Sequence, residues 1–160
     1  MHADPQVEHR WLENLVGDWT IETETDMGPD DPNQPSTGTE RVRMLGDVWV
    51  VCELQWGMPG GSTALSQMTL GYDSEAKSYV GSFVSSCMTY LWVYTSGALD
   101  DVGKKLTLNT TGPNFTGNGT GQFQDIIEVV DEDHRILHGM MLDENEVWHE
   151  FMTSKYTRKK

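Results

Sequence analysis

From Trp19 onward, apolar and polar residues alternate with a period of two, and clusters of turn-forming residues interrupt the alternation at short intervals. Trp19, Ile21, Thr23 and Thr25 fall on one face of the first such stretch, while Thr20, Glu22, Glu24 and Asp26 fall on the other, which must meet water. With Trp19–Asp26 as the first, the pattern predicts further strands over 37–45, 48–56, 62–72, 78–86, 87–96, 105–111, 122–130, 135–142 and 146–158. Breaks at Gly46-Asp47, Met58 to Gly61, Asp73 to Lys77, Asp100 to Gly103, Asp131 to His134 and Asp143 to Asn145 separate most of them. Gly112 to Gly121 is a glycine-rich hairpin connection, and Gly28 to Ser36, with three prolines, is a polar loop at one rim.

Upstream the period is helical. Val7, Trp11, Leu12 and Leu15 recur on one side of 6–16, with Asp4 as the expected N-cap, Pro5 at the first helical position and Gly17 as the stop. A helix this short needs a surface to lie on, and the end of a barrel supplies one. About ten short strands, with no second helix long enough for a crossover, predict an all-β fold. The expected architecture is an antiparallel up-and-down barrel, which leaves no long sheet edge exposed. One domain is expected over 1–160, with the helix at 5–16 and the barrel at 18–158.

Charge narrows the partners. The 160 residues carry 25 acidic and 11 basic side chains, a net charge of −14. That balance disfavours nucleic acid and anionic membrane surfaces, both of which bind basic patches. No apolar run has the length of a membrane helix and the N-terminus lacks the pattern of a secretory signal, so the expectation is a cytoplasmic monomer or homodimer. Cys52 and Cys87 sit in apolar runs and read as small buried hydrophobes rather than as a bridge.

No phosphate loop, nucleophile elbow or cysteine-pair zinc signature occurs. Candidate chemistry therefore rests on polar residues placed among apolar ones. Arg41 and Arg43 share a face of the second strand, Glu53 interrupts the apolar third, and Tyr90, Trp92 and Tyr94 share a face of the sixth. On a barrel interior these would suit a small apolar or amphipathic ligand. A tight turn centred on Glu144-Asn145 would set Leu142 opposite Val147 and Met140 opposite His149, bringing His138 diagonal to His149 on one apolar face. Two such histidines could hold a metal or a haem iron. The leading expectation nonetheless involves no cofactor and no catalysis; an enzyme using Glu53, Tyr90 or His149 is the alternative.

The Gly17-Asp18-Trp19 opening after a short helix resembles that of lipocalins and other calycins. In that group a basic residue of the last strand packs over the tryptophan, which implies Lys155 or Arg158 beside Trp19 at the barrel floor. The wider run of HRWLENLVGDWT, LGDVWVVCE, MPGG, MTLGYD, YVGSFVSS, LWVY, LTLNTTGP and FMTSKYTRKK is similar to the bacterial family called domain of unknown function 1579. The resemblance implies a lipocalin-like barrel and no particular activity. Nitrobindins, small barrels that hold haem through a histidine near the C-terminus, give the haem alternative a precedent, although their glycine-rich N-terminal signature is missing here.

Overall fold

The alternation is realised as a single antiparallel sheet in a computed structural model that describes residues 1–28 and 35–160. The strands are β1 Gly17–Thr25, β2 Ser36–Leu45, β3 Trp49–Gly57, β4 Thr63–Asp73, β5 Ser78–Ser85, β6 Trp92–Tyr94, β7 Ser96–Leu99, β8 Lys105–Pro113, β9 Thr120–Val129, β10 His134–Leu142 and β11 Trp148–Arg158. Their order across the sheet is β6-β5-β4-β3-β2-β1-β11-β10-β9-β8-β7. Most of the expected rim loop, residues 29–34, lies outside the described residues.

The two ends of this sheet are consecutive in the chain. β6 pairs with β5 (Phe83 opposite Trp92) and β7 pairs with β8 (Gly97 opposite Leu108). They are two halves of one strand, bent at Thr95, that bridges the last gap in a nearly closed barrel. The seam is held by Thr110 Oγ1 donating to the Val93 carbonyl, Thr95 N–H donating to the Asn109 carbonyl, and Gly97 N–H donating to Ser78 Oγ. A β-carbon on Gly97 would crowd Tyr79 and Leu108, so glycine permits the close approach. The expected strand over 87–96 is accordingly corrected. Residues 86–91 form a rim connection, and the strand begins at Trp92.

The N-terminal segment is shorter as an α-helix than its periodicity predicts. Val7–Trp11 is α1, followed by a 3-10 turn over Leu12–Leu15. The cap is Gln6 rather than Asp4, through reciprocal bonds with His9. His9, not Val7, faces the barrel: its Nε2 lies 3.0 Å from the Tyr72 carbonyl and the residue is buried, whereas Val7 is exposed. The segment closes one end, which is packed solid by Leu12, Leu15, Trp19, Val50, Leu70, Tyr79 and Leu106.

Trp19 is 1% exposed, and its indole N–H donates to the Leu15 carbonyl at 2.9 Å. The Arg158 guanidinium stacks 4.2 Å from the ring centre and donates to the carbonyls of Val16 and Asn14. Lys155 is exposed on the outer surface, so of the two basic residues expected here only Arg158 stands over the tryptophan. The glycine of the opening motif has a steric reason. Gly17 has φ +134°, and a β-carbon there would collide with the Arg158 guanidinium.

Candidate ligand-binding site

Strand parity decides what faces inward. Burial alternates along most of the strands, putting Gly38, Glu40, Val42 and Met44 of β2 inside, with Cys52, Leu54 and Trp56 of β3 and Ser66, Met68 and Leu70 of β4. On the other wall Phe123, Asp125 and Ile127 of β9, Arg135 and Leu137 of β10, and Ser154 and Tyr156 of β11 point in. At the floor, Leu12, Leu15, Trp19, Val50, Leu70 and Leu106 are fully buried. In the opposite half, inward-facing Leu54, Trp56, Phe83, Trp92, Asp125 and Met152 keep accessible surface. The space they face is the lumen.

Aromatic rings line one side of its mouth in a continuous chain. Tyr90 meets Trp92 (5.1 Å between centroids), Trp92 meets Phe123 (5.2 Å), Phe123 meets Phe115 (5.2 Å), and Phe115 meets Phe151 (4.9 Å). Tyr90 and Phe115 are exposed at the rim, whereas Phe123 is buried. Facing them, Trp56 Nε1 donates to Ser66 Oγ at 3.1 Å, and Ser66 donates on to Ser85 at 2.9 Å. The Tyr94 hydroxyl donates to Asp125 Oδ2. Burial raises the Asp125 carboxyl above its ordinary range against the opposing pull of that bond, and burial with the neighbouring Asp125 charge pushes Tyr94 well up.

Between lumen and floor lies a buried ion pair, Glu40 with Arg135. The guanidinium is sandwiched, 3.8 Å from the Tyr156 ring centre and 4.8 Å from that of Trp19. Desolvation lowers Arg135 to about 10, which leaves it charged at neutral pH. Nothing in the sequence reading singled out Glu40, Asp125 or Arg135. The signal was present, since each stands on the apolar parity of its strand, as in Phe123-x-Asp125-x-Ile127.

The residues singled out from sequence are placed differently. Arg41, Arg43 and Glu53 are exposed on the outer surface, which corrects their expected place in the interior wall. Arg41 pairs with Asp18 at 3.1 Å, and Arg41 and Glu53 border an external groove of about 670 Å³. Trp92 faces the lumen, and Tyr90 lies at the rim with its hydroxyl donating to the Thr111 carbonyl. Of the three residues offered as catalytic, Glu53, Tyr90 and His149, none is buried.

The histidines do not meet as expected. The connection is a longer turn, with Asp143 N–H donating to the Val147 carbonyl, Glu146 at φ +60° and the Asp143 carboxylate accepting from the backbone of Asn145 and Val147. Met141 therefore pairs with His149 and Leu142 with Trp148, and a bulge at Phe151 shifts the register again, setting His138 opposite Thr153. His149 stands at the rim, its Nε2 2.6 Å from Asp143 Oδ2. His138 lies on the outer surface between Glu150 (2.7 Å) and Glu128 (2.9 Å). Among the described residues, no group of three or more His, Cys, Asp or Glu side chains is arranged to hold a metal ion. Cys52 is buried, Cys87 is exposed, and both are free.

His138 gives a pH signature. Burial alone would lower it, but the bonds to Glu150 and Glu128 outweigh that and leave it raised. A raised histidine contributes stability that is complete below its unfolded value, about 6.5, and is lost as pH rises through the folded value. His138→Gln is expected to cost about 0.5 kcal/mol below that window and nothing above it. Urea unfolding at a series of pH values reads this, and an equal loss at every pH would contradict it.

The geometry has counterparts among known folds. Rv2717c from M. tuberculosis superposes with a TM-score of 0.69 at 12% identity, over 98% of this chain and all of that one. The S-type phycobiliprotein lyase CPES from Guillardia theta gives 0.64 at 11% identity, over 98% and 99%. A designed barrel, EF1p2_mFAP2b bound to DFHBI, gives 0.51 at 11%, over 95% and 99%. Identities this low carry the fold and not the ligand. No curated protein matches the chain in sequence. A family model described as a protein of unknown function, DUF1579, matches residues 4–158.

Proposed function

The chain belongs to the DUF1579 family of proteins of unknown function, and on that premise we propose that it binds a small, largely apolar or amphipathic molecule in the open half of its barrel. One observation carries the reading. Inward-facing Leu54, Trp56, Phe83, Trp92 and Met152 keep accessible surface in that half, whereas Leu12, Leu15, Trp19, Val50, Leu70 and Leu106 are fully buried at the floor. A barrel of this strand number is wide enough to hold one small ligand. The lining suits an apolar body: Leu54, Phe83 and Met152, with Trp92 and the phenylalanine chain. The hydroxyls of Ser66, Ser85 and Tyr94 are placed to orient a polar end.

A brominated medium-chain alcohol, which quenches the tryptophans it touches, tests this. Quenching is expected to saturate at about one equivalent, as a single preformed pocket requires. It should arise from Trp56 and Trp92, so that Trp56→Phe with Trp92→Phe removes most of it. Unsaturable quenching that survives this double substitution would place the alcohol on the outer surface and defeat the reading.

A further inference from the structure

Asp125 is placed unlike any other acid among the described residues. It points inward between two buried neighbours on its face, Phe123 and Ile127, and it is enclosed by protein, yet it keeps accessible surface. The parity of β9 directs its side chain toward the lumen. Its partner across β10 is Gly139, over which Phe151 and Met152 pack, and its partner across β8 is Leu108; none of these side chains offers a hydrogen bond. Tyr94 fixes one carboxyl oxygen by donating to Oδ2. The nearest basic side chain facing inward, Arg135, is already paired with Glu40.

We infer that Asp125 is the head-group site of the lumen, and that the ligand is an amphiphile bearing a protonated amine. This rests on the ligand-binding reading above and specifies the chemistry of the occupant. An ammonium reaching Oδ1 would supply the countercharge that the carboxylate lacks, and charge-assisted bonds in a water-poor site are the strong ones. The ring of Phe123, with Trp92 against it, presents the π-surface that favours a cation over a neutral head. The net charge of −14 draws cations toward the barrel from a distance. Burial holds the Asp125 carboxyl above its ordinary range, and a cation beside it would offset that desolvation.

Decylamine, decanol and decanoate, titrated by calorimetry against the wild-type chain and Asp125→Asn, form the test. Asparagine keeps the shape of aspartate and still accepts from Tyr94, so folding should survive; Tyr94→Phe serves as a second variant that loosens the same carboxyl. The wild type is expected to take decylamine about tenfold more tightly than decanol, and Asp125→Asn to lose that preference and take the two about equally. Attraction of the amine to the acidic surface alone would be nearly the same in both proteins, and that result overturns the assignment. So would a wild type that prefers decanoate, or one that binds decanol and decylamine equally. Failure of all three probes would instead remove the ligand-binding reading itself.

Discussion

Trp19→Ala is expected to destabilise the fold by about 3–5 kcal/mol, the usual range for emptying a buried aromatic site. The side chain is almost wholly buried and is touched from three directions: Tyr156 edge-on at 6.5 Å between centroids, Arg158 over one part of the ring and Arg135 over another. Removing it leaves a cavity, strips the Leu15 carbonyl of its donor and deprives two guanidinium groups of their aromatic surface. The residue joins the N-terminal segment to the last strand, so loosening should begin at the floor. Trp19→Phe retains most of the volume and loses the indole N–H, and about 1–2 kcal/mol is expected. Denaturant unfolding of the two variants reads the difference, and an alanine variant as stable as the phenylalanine one would contradict this account of the floor.

Glu40→Leu is expected to cost as much or more relative to its size. It leaves the Arg135 cation buried between Trp19 and Tyr156 with no carboxylate, a situation that typically costs about 3–5 kcal/mol. Arg135 already has one side-chain nitrogen, Nε, with no partner among the described residues, so little remains to compensate. Replacing both members tells the charge effect from the packing effect. Glu40→Leu with Arg135→Met removes both charges while keeping apolar volume, and it should recover to within about 1–2 kcal/mol of the wild type. If the double substitution were as damaging as the sum of the two single ones, the pair would be acting through shape rather than through uncompensated charge.

Much of the barrel was legible because a half-buried strand writes its two faces into alternate positions. β1, β2, β4, β8 and β10 begin and end within a few residues of where alternation and turn residues put them. The exception, 87–96, shows the limit. Its density of aromatic and β-branched residues signals extended chain, but nothing local signals that one strand bends at Thr95 to pair with β5 first and β8 afterwards. Closure is a long-range event.

The site was less legible, for two reasons. In β3 the run Val50-Val51-Cys52 is buried throughout, so the face that Glu53 takes is ambiguous from sequence; in the fold it points out. Arg41 and Arg43 were assigned by sharing a face with each other, yet the apolar parity of β2 belongs to Val42 and Met44, and Glu40 rides with them. The histidine pairing failed on register. A turn one residue longer at its closing end and one bulge residue, Phe151, each displaced the partners, and alternation carries no record of a bulge. The inward acids and Arg135 were recoverable by the parity rule alone, which makes a charged residue on the apolar side of a strand the more telling signal.

The central claim is that the barrel is solid at its floor and open above it. Methionine methyl groups labelled with carbon-13 report on both parts of the molecule. Met68 and Met152 face the interior of the open half, Met44 packs against the floor, and Met1 is fully exposed at the N-terminus. On titration with decanol, the signals of Met152 and Met68 are predicted to shift and saturate together while those of Met44 and Met1 stay in place. Unmoved Met68 and Met152 signals, at alcohol concentrations that bind the protein, would contradict it.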